Sequence, residues 1–402
     1  MFKSLSLKVI IFGFIFTFFS SFGQSFFLGI FNPSIRNELS ISHGQFGSIY
    51  ASATLLSSFV LIWVGKKIDD IGIVKFSFLV VLLLAFSSFF FSTISSLSLL
   101  FVAIFLMRFS GQGMMSHTAT TTISRYFTKS RGKALSTGWF GLSAAEFILP
   151  VLMIFLLTIT DWKNIWIGAS IIIIIFLPLA SYFLVKDLSF DSRESSDDIE
   201  FNENKIKHWK RIEVVKDYRF YIVCANMLAM PSIATGTFVY QSFILSSKNW
   251  GPYVIAQSFM SYSILSVITL FFSGFLIDKF TSRKLLIYMN IPLFFAVLVL
   301  LFFKSPISSF FFLGLIGITN GLCNVLGSST WAEIYGVRYI GSIKALTTAL
   351  MVFATAFGTA LFGLLIDRGF SIEQISLFSG FYISASIISL FFIRNKLNPQ
   401  KI

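Results

Sequence analysis

Gly65-Lys66-Lys67-Ile68-Asp69-Asp70-Ile71-Gly72-Ile73-Val74-Lys75 is a short charged stretch wedged between two long apolar runs. A weaker copy returns 209 positions later as Gly274-Phe275-Leu276-Ile277-Asp278-Lys279-Phe280-Thr281-Ser282-Arg283-Lys284. Both read Gly-x-x-Ile-Asp with basic residues following, and each comes after the second apolar run of its half. Arg131-Gly132-Lys133-Ala134-Leu135 also returns, about 211 positions on, as Gly341-Ser342-Ile343-Lys344-Ala345-Leu346. Repeats near half the chain length predict two similar halves joined in the middle.

The surrounding chain is far more apolar than a soluble protein. Of its 402 residues 55% are hydrophobic and 12% charged, with mean hydropathy +0.83, against about 25% charged residues in a globular domain. Runs of roughly 20 apolar residues predict membrane-spanning helices and exclude a β-barrel, whose strands alternate over about 10 residues. Twelve spans are expected, near 9–31, 44–64, 76–95, 98–124, 133–158 and 164–185, then 219–245, 252–276, 285–303, 307–333, 343–366 and 372–393. The expected architecture is therefore all-α: six-helix bundles over 1–186 and 218–402, with a loop over 187–217 between them.

Charge sets the orientation. With the N-terminus inside, outer loops hold only Arg36, Lys163, Lys248, Lys304 and Arg368. Setting these five and intramembrane Arg108 aside leaves 25 of 31 Lys and Arg on the inner side, which predicts both termini in the cytoplasm. The net charge of +13 has this cause, so no nucleic-acid partner is implied. The first helix has no small-residue cleavage site and reads as retained. Cys224 and Cys323 lie within apolar runs, so no disulfide or metal framework is expected. The 187–217 segment holds nine of the 18 acidic residues. Its Ile206, Trp209, Ile212 and Val215 recur at helical spacing, which fits a surface helix on an anionic leaflet or a solvated linker equally well.

The paired charged loops resemble those after the second helix of each half in the major facilitator superfamily of membrane transporters. The resemblance implies a gating role for Gly65, Asp69, Gly72 and Lys75, echoed by Gly274, Asp278 and Arg283. Asp70 stands where the pattern usually has a basic residue, and Thr281 replaces the second glycine of the echo. Arg108-Phe109-Ser110-Gly111-Gln112-Gly113 resembles the fourth-helix motif of the superfamily, with Gln and Gly in a departing register.

Charges persisting in hydrocarbon cost roughly 2.5–3.5 kcal/mol and are functional candidates by default. Two stand out, Arg108 in the fourth span and Glu146 in the fifth. On an α-helix Arg108, Gln112, Met115 and Ala119 share one face, and a guanidinium grips a carboxylate with two parallel hydrogen bonds. Arg108 is thus the first candidate for an anionic substrate group; the competing reading has it satisfying carbonyls of a neighbouring helix. Glu146 is the leading candidate for proton coupling, against a purely structural carboxyl. His117, across the helix from Arg108, is expected to hydrogen-bond between helices. The resemblance makes polar residues of the first, seventh and tenth spans cavity candidates: Gln24, Tyr240, Gln241, Asn320, Asn324 and Trp331. Interhelical hydrogen bonding competes with that reading at each of them.

These observations predict a secondary transporter of a small organic anion or metabolite, proton-coupled and working by alternating access. The resemblance loosely favours the monocarboxylate and oxalate branch, and implies a monomer. The competing reading is efflux of amphipathic drug-like compounds, although the fifth span (Gly138, Gly141, Pro150) lacks the Gly-Pro-rich run of the drug antiporters. An enzyme is not expected, since His43, His117 and His208 are scattered and no nucleophile or metal motif occurs. No cofactor and no Walker loop for ATP is implied. The composition favours a bacterial inner membrane.

Overall fold

A computed structural model describes residues 2–127, 131–186, 188, 207–336 and 338–398. Its twelve long apolar helices are α1 Leu5–Leu39, α2 His43–Val64, α3 Ile73–Phe91, α4 Leu97–Tyr126, α5 Lys133–Ile159 and α6 Trp162–Val185, followed by α7 Tyr218–Val239, α8 Val254–Ile277, α9 Ser282–Phe302, α10 Ser308–Tyr335, α11 Ser342–Asp367 and α12 Ile372–Lys396. No strand occurs among the described residues. At 1.5 Å per residue each helix can cross a hydrocarbon layer of about 30 Å. Polar side chains start several of them. Ser42 and Gln45 form a capping box at α2, Ser371 and Gln374 form another at α12, and Ser96 caps α4.

The spans differ from expectation in two places. α1 continues to Leu39 through Asn32, Arg36 and Asn37. Hydropathy marks where a helix enters water, whereas backbone hydrogen bonding carries the coil beyond the hydrocarbon. The seventh span is interrupted at Tyr240, and a separate short helix, Gln241–Lys248, follows.

Two compact units result. The first comprises Met1–Arg193 with Phe238–Ser242 and Thr359–Asp367; the second comprises Glu194–Thr237, Phe243–Gly358 and Arg368–Ile402. In the first unit, Trp166 of α6 is the hub of an aromatic core. Its ring lies 4.4 Å from Phe91, 5.1 Å from Phe31 and 5.5 Å from Phe27, centroid to centroid. α1 and α5 approach closely at glycines, where Thr17 Oγ1 donates to the Gly138 carbonyl at 2.6 Å. In the second unit Val214, Phe220, Trp331, Tyr335, Leu390 and Leu397 pack into one core. A buried polar network flanks it: Arg219 Nε donates to Asp217 at 2.8 Å, Tyr335 Oη to Asp217 Oδ2 at 3.1 Å, and Arg219 Nη1 to the Lys396 carbonyl at 2.7 Å.

The repeated loops share a backbone conformation that their residues do not share. Gly72, before α3, has φ +83° and ψ 152°. Thr281, at the matching position before α9, has φ +69° and ψ 145°. A β-branched residue at positive φ is strained by roughly 1–3 kcal/mol. Glu333 of α10 compensates, accepting hydrogen bonds from Ser282 N, Ser282 Oγ and Arg283 N at the start of α9. Thr281→Gly is therefore expected to raise stability. The relieved strain exceeds the added chain entropy of glycine, about 0.4–1 kcal/mol, and leaves a gain of roughly 1 kcal/mol. Thermal unfolding of the purified variant checks it; an unchanged or lower midpoint would refute the strain.

Candidate substrate site in the first helical unit

α1 is not continuous. Its coil tightens at Ser21–Gly23, Gln24 is extended (ψ 152°), and a new helix starts at Ser25 with no side chain capping it. Opposite this break, α4 is π-helical over Arg108–Met115. Single π turns inside α-helices recur at functional sites and shift the register of the residues beyond them. Bonds from i to i+5 displace the face that an ideal α-helix would give Arg108, Gln112, Met115 and Ala119.

Glycine makes the crossing possible. A methyl on Gly111 would lie 2.6 Å from the Gly23 nitrogen and 2.8 Å from its Cα, so the two backbones touch directly. Arg108 sits at this crossing and is 3% exposed. Its Nη1 donates to the Gly23 carbonyl at 2.9 Å and to Ser25 Oγ at 3.3 Å, and its guanidinium carbon lies 5.4 Å from the centre of the Tyr50 ring. Tyr50 Oη donates to the same Ser25 Oγ at 2.9 Å. Arg108 Nε is buried without a partner, and no carboxylate pairs with the side chain among the described residues. The positive end of the helix starting at Ser25 adds to the same field.

Of the eight substrate candidates, four fall around Gly23–Phe26. They are Arg108, Gln24 at the break, Gln112 in the π turn, and Gln241, whose Nε2 donates to the Phe26 carbonyl at 2.9 Å. Tyr240 lies at the far end of α2 from Gly65, where its Oη donates to the His43 carbonyl at 2.9 Å. Asp367 closes the same end, accepting from Ser42 Oγ at 2.6 Å and the Gly44 nitrogen at 2.8 Å. Small residues permit that approach: methyls on Gly47 and Gly363 would both collide with Tyr240 Oη, and one on Gly44 with Asp367. The other three candidates belong to the second unit. Asn320 Nδ2 donates to Ser266 Oγ at 2.9 Å, Asn324 is exposed, and Trp331 is packed between Phe220 and Tyr335.

Glu146 of α5 is 7% exposed and makes no hydrogen bond or ion pair among the described residues. At the repeated loops, His117 Nε2 donates to the Gly65 carbonyl at 3.0 Å, tying α4 to the loop. Gly72 has the positive φ already given, and Lys75 is exposed. Gly274 has open space around it, and Arg283 joins the Glu333 cap through its backbone. The side chains of Asp69 and Asp278 lie outside the described residues. So do Asp187 and residues 189–206 of the central loop. No group of three His, Cys, Asp or Glu able to hold a metal ion occurs among the described residues. Ser25, Tyr50 and Asp367 were not singled out from sequence; the cluster Ser20-Ser21-Phe22-Gly23-Gln24-Ser25 inside an apolar run was the available signal for the first of them.

The profile of the Major Facilitator Superfamily matches residues 13–359. The chain belongs to this superfamily. Two solved transporters illustrate the likeness of this superfamily member in fold. A bacterial homologue of the human lysosomal transporter Spinster, crystallised in an inward-facing, unoccupied conformation, is 13% identical with a TM-score of 0.72; the alignment covers 98% of this chain and 99% of that one. The nucleoside transporter NupG is also 13% identical, with a TM-score of 0.70 and 98% of each chain covered. A search of curated proteins finds no match. The superfamily assignment makes this chain a multi-pass membrane transporter of a small molecule.

Proposed function

We propose that this transporter carries a small organic anion, coupled to protons, by alternating access. One observation carries the reading: Arg108 is a buried guanidinium with no counter-charge among the described residues and an unused Nε donor. Leaving a charge buried and unpaired costs several kcal/mol, so a site that keeps one in place gains most from a ligand that neutralises it. A carboxylate beside Ser25 would meet Arg108 and the uncapped backbone N–H groups of the following helix together. Glu146 is the proposed proton carrier, because a buried carboxyl without a partner is more stable neutral and must ionise to release its proton.

Gating is proposed at both ends of the first unit. At one end the Gly65 loop is joined to α4 by His117; at the other, Tyr240 and Asp367 close over α2. Individually these hydrogen bonds contribute about 0.5–1.5 kcal/mol, weak enough to break in each cycle. The excess of basic residues supports placing the Gly65 loop and both termini in the cytoplasm of a bacterial inner membrane.

The testing experiment is thermal stabilisation of purified protein against carboxylates, nucleosides, amines and amphipathic drugs. Nucleosides are included because of the likeness to NupG. A ligand binding only the folded state stabilises it by about 2.7 kcal/mol at 100 times Kd. Stabilisation by small carboxylates is the expected result. Stabilisation by amphipathic cations or drugs alone would overturn the anion reading in favour of efflux. For coupling, Glu146→Gln is expected to bind substrate normally but to lose accumulation driven by a proton gradient in proteoliposomes. Undiminished accumulation would remove Glu146 from the mechanism.

A further inference from the structure

The second unit carries two cavities, which share Asn398 in their linings. The first, about 660 Å³, is bordered by Lys207, Glu213, Lys216, Asp217, Arg219 and Lys396. Two of its four cations are neutralised within it: Lys207 pairs with Glu213 at 3.2 Å and Arg219 with Asp217 at 2.8 Å. Glu213 is held below the usual carboxylate range by the Lys210 backbone N–H and by Lys207, so it remains an effective counter-charge.

The second cavity, about 560 Å³, is different. Its lining includes Arg283, Lys284 and Arg394 and, among the described residues, no Asp or Glu. None of the three cations makes an ion pair among the described residues. Glu333 is close by, but its oxygens accept from Ser282 and from the Arg283 backbone. Arg283 Nη1 is buried without a hydrogen-bond partner, and Arg394 lies with its guanidinium carbon 4.0 Å from the Phe391 ring centre. A donor buried without an acceptor among the described residues, on an arginine lining a cavity whose described charges are all positive, calls for an anion.

The rest of the lining combines the apolar side chains of Phe280, Leu285, Ile287 and Tyr288 with Asn395 and Asn398. Phe280 and Tyr288 border the cavity and are both open to the surroundings. Phe272, Leu276 and Phe280 recur at i, i+4 and i+8 of one helix, Val254–Phe280, and all three are exposed. That spacing makes a continuous apolar stripe from the body of α8 to the cavity rim. A soluble phosphate would use the cations and leave the stripe idle, whereas a lipid uses both.

We propose that this cavity binds the phosphate headgroup of an acidic glycerophospholipid, whose acyl chains lie along Phe272, Leu276 and Phe280. Basic pockets beside membrane helices recognise such headgroups by charge. Arg283 supplies the free Nη1 donor, Lys284 and Arg394 flank the phosphate, and Tyr288 packs beside the glycerol.

The test is a thermal-unfolding titration of the delipidated full chain in neutral detergent with short-chain phosphatidylglycerol, short-chain phosphatidylcholine and glycerol 3-phosphate. Phosphatidylglycerol is expected to raise the midpoint of the wild type. The double variant Lys284→Gln with Arg394→Gln should need at least tenfold more of it for half the effect. Lys216→Gln, in the neighbouring cavity, should titrate like the wild type. An equal response to phosphatidylcholine, or to phosphatidylglycerol in the double variant, would overturn the site. An equal response to glycerol 3-phosphate would overturn the lipid as its ligand. Should the double variant not fold, the exposed substitution Lys284→Glu is read in the same way against the same limits.

Discussion

Arg108→Gln is expected to abolish stabilisation by carboxylates while leaving the unliganded protein at least as stable as the wild type. The two signs come from one fact. Arg108 is buried with no opposing charge among the described residues, its contacts being the Gly23 carbonyl, Ser25 Oγ and the face of Tyr50. Glutamine keeps a hydrogen-bond donor for Gly23 and removes a charge that is costly without a ligand. With the ligand present the balance reverses, since truncating one side of a buried, hydrogen-bonded charge pair costs about 2–5 kcal/mol. At 1.4 kcal/mol per tenfold, affinity should fall between roughly 30-fold and several thousandfold. Parallel unfolding and binding measurements separate this from a structural role. If Arg108 only braced the break in α1, the variant would lose stability without ligand and keep its affinity. That result would end the assignment.

Gly111→Ala should have the largest effect on folding. The added methyl would meet the Gly23 nitrogen and Cα, at 2.6 Å and 2.8 Å. Both are main-chain atoms of α1, so no side-chain rotation relieves the overlap. Overpacking of this kind costs about 1–3 kcal/mol, and the rigid backbone on both sides places the value at the upper end. Separating α1 from α4 would also draw Gly23 O away from Arg108, so ligand stabilisation should weaken in parallel. Gly168→Ala is the control: no atom outside its own helix turn lies within 4 Å of its added carbon, and its midpoint should be unchanged or slightly raised by the lost chain entropy of glycine. Equal midpoints for the two variants would show that the crossing has slack.

Much of the fold was legible because membrane solvent imposes simple rules. Twelve apolar runs became twelve long helices among the described residues. The site was only partly legible, for a geometric reason. An ideal 100° step places Arg108 and Gln112 on one face, but α4 adopts i to i+5 bonding there, and no residue type announces a π turn. The break in α1 had a local trace, the polar run Ser20-Ser21-Phe22-Gly23-Gln24-Ser25, which hydropathy averages away. Tyr240 and Gln241 read as neighbours on one stripe, yet the chain turns between them, sending one to His43 and the other to Phe26. Asn320, also spaced for one face with Trp331, bonds to Ser266, and Trp331 packs in an aromatic core. Periodicity names a face of a helix; neighbours decide what that face meets.

The closure at the far end of α2 has a genetic consequence. Tyr240 and Gln241 donate to main-chain carbonyls of His43 and Phe26, and Asp367 accepts from the main-chain nitrogen of Gly44. Half of each of these bonds is therefore present whatever residue the gene encodes at that position, proline at 44 excepted because it lacks the N–H. Point mutation can reach these contacts through the side-chain partner or through the glycines that admit it, Gly44, Gly47 and Gly363. Selection for variants that restore transport to a jammed or leaky protein should accordingly return a short set of codons, weighted toward glycine replacements. Changes at His43 and Phe26, although those residues sit inside the contact, should be rare in such a collection.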